Sequence, residues 1–266
     1  MSFIWRLERV ISLNIRDNLT YTKQKYTILS DNKPYLFIGS KIRGMLGYEL
    51  KNNVCINPTL KCDGCFATKE CLFYNMFEEK NKTHSYRLDY KLYSKKYKFS
   101  LILFGDTKKE SDTLHRAMID ALKEYQAIDY QMKTKTLSFD GYSENLKIKL
   151  LTPLRIKKHN RFATKDIELL DILLSIYRRD LELQSIPYRR ANFEINYTTV
   201  SKNLNYTELT RKSNRQDTKM YLGGLMGEII VNGVSREIYE LLKLGEIIGV
   251  GKSTVFGLGK IKVEDL

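Results

Sequence analysis

Four stretches of this 266-residue sequence carry apolar residues at helical spacing, and segments of strand character lie between them. The spacing predicts helices over 40–51, 111–125, 164–183 and 235–242, with Ser40, Ser111 and Ser235 as N-caps. Strands are predicted over 3–16, 97–104, 146–156, 192–202, 219–232 and 258–263. Each half has the order strand, helix, strands, helix, strand, which is typical of a split βαβ, or ferredoxin-like, unit. We therefore expect an α+β protein with two such units in tandem.

Turn-forming residues cluster at 139–143, between the two halves. We place the domain boundary there. The first predicted domain is 1–140, with a cysteine-containing segment inserted at 55–71. The second is 141–266, with a glycine-rich loop at 249–259.

The chain is strongly basic, with 45 Lys and Arg against 31 Asp and Glu and a net charge of +14. Clustered cations gain affinity for phosphates through counterion release, so nucleic acid is the expected partner. A membrane is not expected, because no apolar run approaches the roughly 18 residues that span a bilayer. The N-terminus also lacks the apolar core of a signal peptide, so a cytoplasmic location is expected.

All four cysteines lie in one short segment, as C-x6-C-x2-C-x5-C at Cys55, Cys62, Cys65 and Cys71. Clustered thiols in an intracellular protein are typical of a metal site. Zn²⁺ held by four thiolates is the first interpretation, an iron–sulfur cluster the second, and four free thiols the third. A four-thiolate shell leaves no position for a water molecule, so we expect a structural role only.

The segment 249–260, GVGKSTVFGLGK, has four glycines and two lysines. Glycines leave the backbone uncovered, and a loop of this kind can bind phosphates through its N–H groups. A simple turn that joins the last helix to the last strand would have the same composition.

This closing segment resembles the glycine-rich stretch of the CRISPR repeat-RNA endoribonucleases of the RAMP superfamily. Further blocks are similar to one branch of that family, in the same order. They are Gly39 to Gly47, the cysteines followed by Tyr74 and Phe77, Ser213 to Gln216, and Leu222 to Glu228.

The resemblance implies two ferredoxin-like, RRM-like domains and metal-independent cleavage of CRISPR repeat RNA into guide RNAs. The ribose 2′-hydroxyl would attack the adjacent phosphorus and give a 2′,3′-cyclic phosphate and a 5′-hydroxyl. Proteins of a CRISPR effector complex are possible partners. The alternative is a RAMP subunit that binds guide RNA in such a complex without cutting it.

Many members of this family use a histidine on or near the first helix, but residues 40–53 contain none. That helix instead presents Lys41, Gly44, Tyr48 and Lys51 on one face, so Lys41, Tyr48 and Lys51 are candidate catalytic residues. An ordinary solvated helix face has the same pattern. Among the three histidines, His84 is the rival candidate, because it follows the cysteine segment in the same domain.

RNA contacts are expected from two regions. A patch of alternating basic and aromatic residues between Tyr86 and Tyr97 could stack on bases and hold phosphates. The other expected contacts follow from the resemblance: Arg43, Arg211, Arg215, Gln216, Gly249, Gly251, Lys252, Gly257, Gly259 and Lys260.

Overall fold

The structure is a computed structural model, and it describes residues 19–28, 37–125, 128–189, 191, 196–213 and 218–266. The predicted strand at 3–16 lies outside these residues. Within them, no helix is both long enough and apolar enough to cross a bilayer.

The first unit has the order βαββαβ and forms one four-stranded sheet. Its sheet order is β2-β3-β1-β4, and each neighbouring pair is antiparallel. The elements are β1 (Thr20–Ile28), α1 (Gly39–Val54), β2 (Tyr86–Tyr90), β3 (Lys98–Leu103), α2 (Ser111–Ala121) and β4 (Ile128–Thr136).

The second unit repeats this arrangement, with two short hairpins added. Its sheet order is β12-β5-β11-β8, again antiparallel throughout. The elements are β5 (Leu146–Leu154), β6 (Lys157–Lys158), β7 (Arg161–Phe162), α3 (Leu169–Leu183), β8 (Thr198–Thr207), β9 (Thr210–Ser213), β10 (Thr218–Tyr221), β11 (Gly224–Asn232), α4 (Arg236–Ile248) and β12 (Ile261–Asp265). The predicted tandem ferredoxin-like α+β fold is confirmed, while the boundary at 140/141 stays a prediction.

The apolar stripes of the helices pack as their spacing predicts. In α1, Ile42, Leu46 and Leu50 are all buried within the first core, against β1, β2 and β3. The second core joins α3 and α4 to the strands of the second sheet, and it also takes in Ile102 and Phe104 from the first unit. The two units are therefore in apolar contact as well as adjacent in sequence.

Helix starts were predicted with mixed success. Ser235 is the N-cap of α4, where its hydroxyl accepts from the Ile238 N–H at 3.4 Å. The predictions for Ser40 and Ser111 are wrong, because Ile38 and Glu110 occupy the N-cap positions and both serines lie inside their helices. Helix α3 begins at Leu169, later than predicted, because Glu168 forms a capping box with Asp171.

The loop between α4 and β12, residues 249–260, connects the second unit to the first. Tyr90 in β2 donates a hydrogen bond to the Phe256 carbonyl at 2.9 Å. Gly257 has φ +79° in the left-handed region, and a Cβ there would lie 2.1 Å from the Tyr90 ring. Glycine is therefore required at 257 by backbone conformation and by the close approach of the Tyr90 ring.

Gly257→Ala should lower the free energy of unfolding by roughly 2 kcal/mol or more, because it combines a left-handed residue with a steric overlap. Gly44→Ala is the matched control. Gly44 is an exposed residue of α1 with open space at its Cβ position, so the same change should raise stability by about 0.5–1 kcal/mol. Urea unfolding of both variants measures the difference. Equal stability of the two variants would contradict this account of the loop.

Candidate active site

The carbonyl end of α4 is held by two buried arginines, one from each unit. Arg87 of β2 donates from Nη1 to the carbonyls of Glu246 and Ile247, at 3.2 and 3.1 Å. Arg179 of α3 donates from Nε to the Ile248 carbonyl at 2.8 Å. These bonds satisfy carbonyls that a helix end leaves without intrahelical partners. They also fix where the glycine-rich loop begins.

Several amides of the glycine-rich loop have partners inside the protein. The Gly251 N–H donates to Ser175 Oγ at 2.8 Å, and the Lys252 N–H donates to the Arg155 carbonyl at 2.9 Å. The Gly259 N–H donates to the Pro153 carbonyl at 3.1 Å. These three N–H groups serve to position the loop. An approaching phosphate would therefore meet the neighbouring side chains and not these amides.

A cavity of about 420 Å³ opens where the loop meets both units. The first unit contributes the segment 82–84, and the second contributes 155–157, one side of α3, and loop residues 251–256. Its ionisable lining is mostly cationic. The charged and titratable side chains are Lys82, His84, Arg155, Lys157, Asp171, Arg178, Arg179, Glu182 and Lys252.

His84 is half-buried on this cavity, with its ring 5.8 Å from that of Tyr86. Burial, together with the positive charges of Arg43 and Arg179, lowers the pKa of His84 from 6.5 to about 4. Its imidazole is therefore neutral at pH 7 and has a lone pair available. The Nδ1 atom is buried and has no hydrogen-bond partner among the described residues.

The side chain of Arg43 in α1 reaches the glycine-rich loop. Its guanidinium stands over the rings of Phe77 and Phe256, at 4.6 and 5.1 Å from their centroids, and its Nε donates to Tyr86 Oη at 3.0 Å. Such cation–π contacts hold a guanidinium in a defined place. Arg43, predicted as an RNA contact, thus links α1 to Phe256 of the glycine-rich loop in this structure.

The other catalytic candidates lie on a separate face of α1. Tyr48 is 68% exposed, Lys41 donates to Tyr125 Oη at 3.2 Å, and Lys51 donates to the Leu60 carbonyl at 2.7 Å. At 100° per residue, Tyr48 lies about 140° around the helix from Arg43, and the helical rise separates Lys41 from Lys51 by about 15 Å. The structure therefore groups His84 with the glycine-rich loop, and it does not bring Lys41, Tyr48 or Lys51 to the cavity.

The predicted RNA contacts are in different situations. Lys252 is exposed at the cavity, whereas Lys260 is half-buried and pairs with Asp89 at 2.7 Å. Arg215 and Gln216 lie outside the described residues, as does the side chain of Arg211 in β9.

The prediction of an exposed basic and aromatic patch between Tyr86 and Tyr97 is wrong for half of its residues. Tyr86, Arg87, Tyr90 and Tyr97 are at most 4% exposed, because β2 and the residues after β2 are buried in the first unit. A buried arginine on a strand breaks the apolar–polar alternation, and this is why the segment resembled a surface patch. Tyr93 and the lysines beside it do remain exposed.

The cysteine segment links α1 to a short helical turn at Tyr74–Glu78, and its four thiols are half-exposed. Burial raises the pKa of Cys62, as do the nearby Glu78, Cys55 and Cys71, while Lys51 lowers it. Within the described part of the chain, no group of three or more His, Cys, Asp or Glu residues is arranged to hold a metal ion.

Sequence reasoning missed Arg155 and Arg179, which line the cavity and are each 8% exposed. A signal for Arg179 was present. It lies three residues after Ile176 on the apolar stripe of α3, where a charged residue is out of place unless it has a function. Arg155 follows a strand and carried no such signal.

Comparisons with known proteins agree with this architecture. Residues 148–261 match the family model described as CRISPR-associated endoribonuclease Cas6, and residues 32–135 match a second model described as an N-terminal domain. A comparison with curated protein sequences finds no match.

Solved structures share the fold at low sequence identity. A Cas6 product complex has a TM-score of 0.58 and 16% identity over 92% of this chain and 99% of that one. Cas6 of Thermus thermophilus has a TM-score of 0.55 and 16% identity over 93% and 99% of the two chains. A partial Cas6-RT-Cas1–Cas2 complex has a TM-score of 0.52 and 12% identity over 93% of this chain and 46% of that one. Residues 148–261 thus match the Cas6 endoribonuclease family, and the chain shares its fold with solved Cas6 structures; together they support a CRISPR-associated repeat-RNA processing endoribonuclease.

Proposed function

We propose that this endoribonuclease cuts CRISPR repeat RNA at the junction of its two units, by attack of a ribose 2′-hydroxyl on the adjacent phosphorus. The observation that carries the proposal is a neutral, half-buried histidine on a cavity lined by cations, in a chain of this family. The products would be a 2′,3′-cyclic phosphate and a 5′-hydroxyl end. No metal ion takes part in this scheme.

His84 supplies the base. A neutral imidazole can accept the proton of the 2′-hydroxyl, whereas an imidazolium cannot. A base with a pKa of about 4 is weak in the free protein, because burial and the positive charges of Arg43 and Arg179 oppose its protonation. A bound phosphate would offset these positive charges and raise the pKa of His84 towards the value that a general base needs at pH 7.

The cations around the cavity supply charge stabilisation. Negative charge on the phosphorane oxygens increases in the transition state, and fixed guanidinium and ammonium groups stabilise it most in a site that excludes water. Arg155 and Arg179 are held by the backbone carbonyls of Gly223 and Ile248, at 2.8 Å in both cases. Lys252 is exposed, and its N–H groups can donate a proton to the leaving 5′-oxygen.

The exposed face of α1 is the second candidate for the chemistry. Tyr48 and Lys51 are one helical turn apart and could serve as acid and charge stabiliser, with Lys41 holding a more distant phosphate. This arrangement needs the RNA to reach Tyr48, about 140° around α1 from Arg43, the residue that contacts Phe256 of the loop. We favour His84, because the structure brings it together with the glycine-rich loop and several cations.

The proposed cleavage of repeat RNA also indicates the partners of this protein. RNA is the substrate, and we propose that Arg211, Arg215 and Gln216 contact it outside the reacting nucleotides. Protein partners from CRISPR complexes are also proposed, and a solved complex in which Cas6, RT, Cas1 and Cas2 occur together supports this.

The reaction has a direct test in the substrate. One deoxyribose placed 5′ of the cut should lower the cleavage rate by at least about 10³-fold, because the nucleophile is lost. RNA binding should change little. Cleavage of the all-ribose RNA should continue in EDTA. Mapped ends and single-turnover rates measure both results. Ordinary cutting of the deoxyribose substrate would disprove the mechanism, and dependence on added metal would disprove the metal-free scheme.

Substitutions distinguish the two candidate sites. His84→Gln should slow single-turnover cleavage by about 10²–10⁴-fold, the range for loss of a general base, with RNA affinity reduced far less. Tyr48→Phe and Lys51→Ala should stay within about threefold of the unchanged protein, since neither side chain lines the cavity. The control His159→Gln alters an exposed loop histidine and should have no effect. The reverse pattern would move the active site to α1.

We propose as well that the four cysteines bind a structural Zn²⁺, because all four lie within one short segment and Cys55 and Cys71 are near enough to Cys62 to raise its pKa. Metal analysis of protein purified without chelator should find about one Zn²⁺ per chain, and Cys62→Ser should lower the melting temperature more than the cleavage rate, because metal binding is coupled to folding. Visible charge-transfer absorbance would indicate an iron–sulfur cluster instead. Protein without bound metal would overturn the site.

A further inference from the structure

Strand β4 forms one edge of the first sheet, and among the described residues its only strand neighbour is β1. In an antiparallel pair, the backbone N–H and C=O groups of alternate residues point away from the neighbouring strand. No backbone hydrogen bond from another described element reaches this outer side of β4. Every residue from Asp129 to Thr136 is exposed. The strand therefore offers a long, accessible backbone on which another strand can pair.

The charges on β4 distinguish it from the exposed edge of the second sheet. That edge is β8, where the one charged residue, Lys202, already pairs with Asp166 and Glu168. Strand β4 instead has three exposed charged side chains for which the described part of the chain supplies no ion-pair partner. They are Asp129, Lys133 and Lys135.

Lysines on an edge strand usually prevent two copies from pairing, because like charges would meet. The order of the charges along β4 avoids this in one arrangement. In antiparallel pairing, residues directly opposite each other lie on the same face of the sheet, so a two-fold axis has to pass through a residue. With the axis at Met132, the middle of the nine-residue strand, every residue of β4 has an opposite residue.

This register places opposite charges together. Asp129 would lie opposite Lys135 of the partner subunit, and Gln131 would lie opposite Lys133 of the partner subunit, each pair occurring twice by symmetry. Opposite side chains have Cβ atoms about 5 Å apart, which is within reach of an ion pair or a hydrogen bond. An axis at Lys133 would put that lysine opposite itself, and an axis at Gln131 would leave Lys135 beyond the end of the paired strand. The charges therefore favour the axis at Met132.

The face of β4 next to α2 adds apolar contacts in the same register. Tyr130 and Met132 are 51% and 39% exposed. Tyr130 would lie opposite Thr134 of the partner subunit and diagonally opposite the partner's Met132, and aromatic side chains pack favourably on β-branched and sulfur-containing ones. The Tyr130 ring is already packed on His115, with the ring centroids 4.2 Å apart. It would therefore lose little freedom on association.

We propose that two copies of this chain associate through β4, antiparallel to each other, about a two-fold axis at Met132. The two four-stranded sheets then form one continuous sheet, and both copies contribute the same surface. No residue of β4 lines the cavity beside the glycine-rich loop. The inference therefore goes beyond the proposed function and does not depend on it.

Sedimentation velocity of the full chain over a range of concentrations measures the association, and a concentration-dependent dimer is expected. Asp129→Lys and Lys135→Asp each place like charges opposite each other twice, so each should raise the dimer dissociation constant by at least about tenfold. Lys98→Asp is the matched control and should leave the constant unchanged. Lys98 is exposed on the same face of the sheet as Asp129, but it lies on β3, two strands from the edge.

Mixing the two variants tests the register. Asp129→Lys with Lys135→Asp brings opposite charges together in both pairs, so the mixture should form a heterodimer about as tight as the original dimer. The same thermal unfolding in all variants, followed by circular dichroism, would show that the changes act on association alone.

Three results would overturn the proposal, whatever RNA the protein cuts. One is a chain that stays monomeric up to its solubility limit. Another is a dimer that neither single charge reversal weakens, because the copies would then meet at another surface. The third is a mixture of the two variants that associates no better than each variant alone.

Discussion

The arrangement at the junction depends on hydrogen bonds between two buried guanidiniums and one helix end. Arg87 from the first unit and Arg179 from the second bind successive carbonyls at the end of α4. The partial negative charge of a helix C-terminus favours cations there. These bonds determine how α4 ends and where the glycine-rich loop starts. Everything that the loop contacts, including Tyr90 in the first unit, follows from this position.

The same arrangement leaves buried positive charge that nearby carboxylates do not fully neutralise. Carbonyl dipoles stabilise a guanidinium less than a carboxylate does, and the ordinary solution for a buried arginine is an ion pair. Arg87 has Asp89 at 3.7 Å, but Asp89 also pairs with Lys260 and Lys23. Proteins tend to retain such locally unfavourable arrangements at functional sites. The buried positive charge of Arg179 is also one of the causes that lower the pKa of His84 and keep its imidazole neutral.

Much of the fold could be predicted from sequence, because helices have a strong apolar period. The stripe of Ile42, Leu46 and Leu50 and the Ser235 cap are confirmed. Strands β1, β2 and β4 were missed. In β2 a buried arginine interrupts the apolar pattern, and β4 is exposed along nearly its whole length, so neither has the alternation that marks a half-buried strand. For the site, sequence indicated His84 and the loop, but Arg155 and Arg179 reach the cavity only through the tertiary fold.

The contact between Tyr90 and Phe256 also has a consequence for the order of assembly. The two residues are 166 positions apart, and the loop takes its shape against a strand from the first half of the chain. The first sheet has all its strands between Thr20 and Thr136, so it can form early during synthesis, when domains fold from the N-terminus onward. The junction closes only after α4 and the loop have left the ribosome. A nascent chain would therefore carry a folded first half well before it carries a complete cationic cavity.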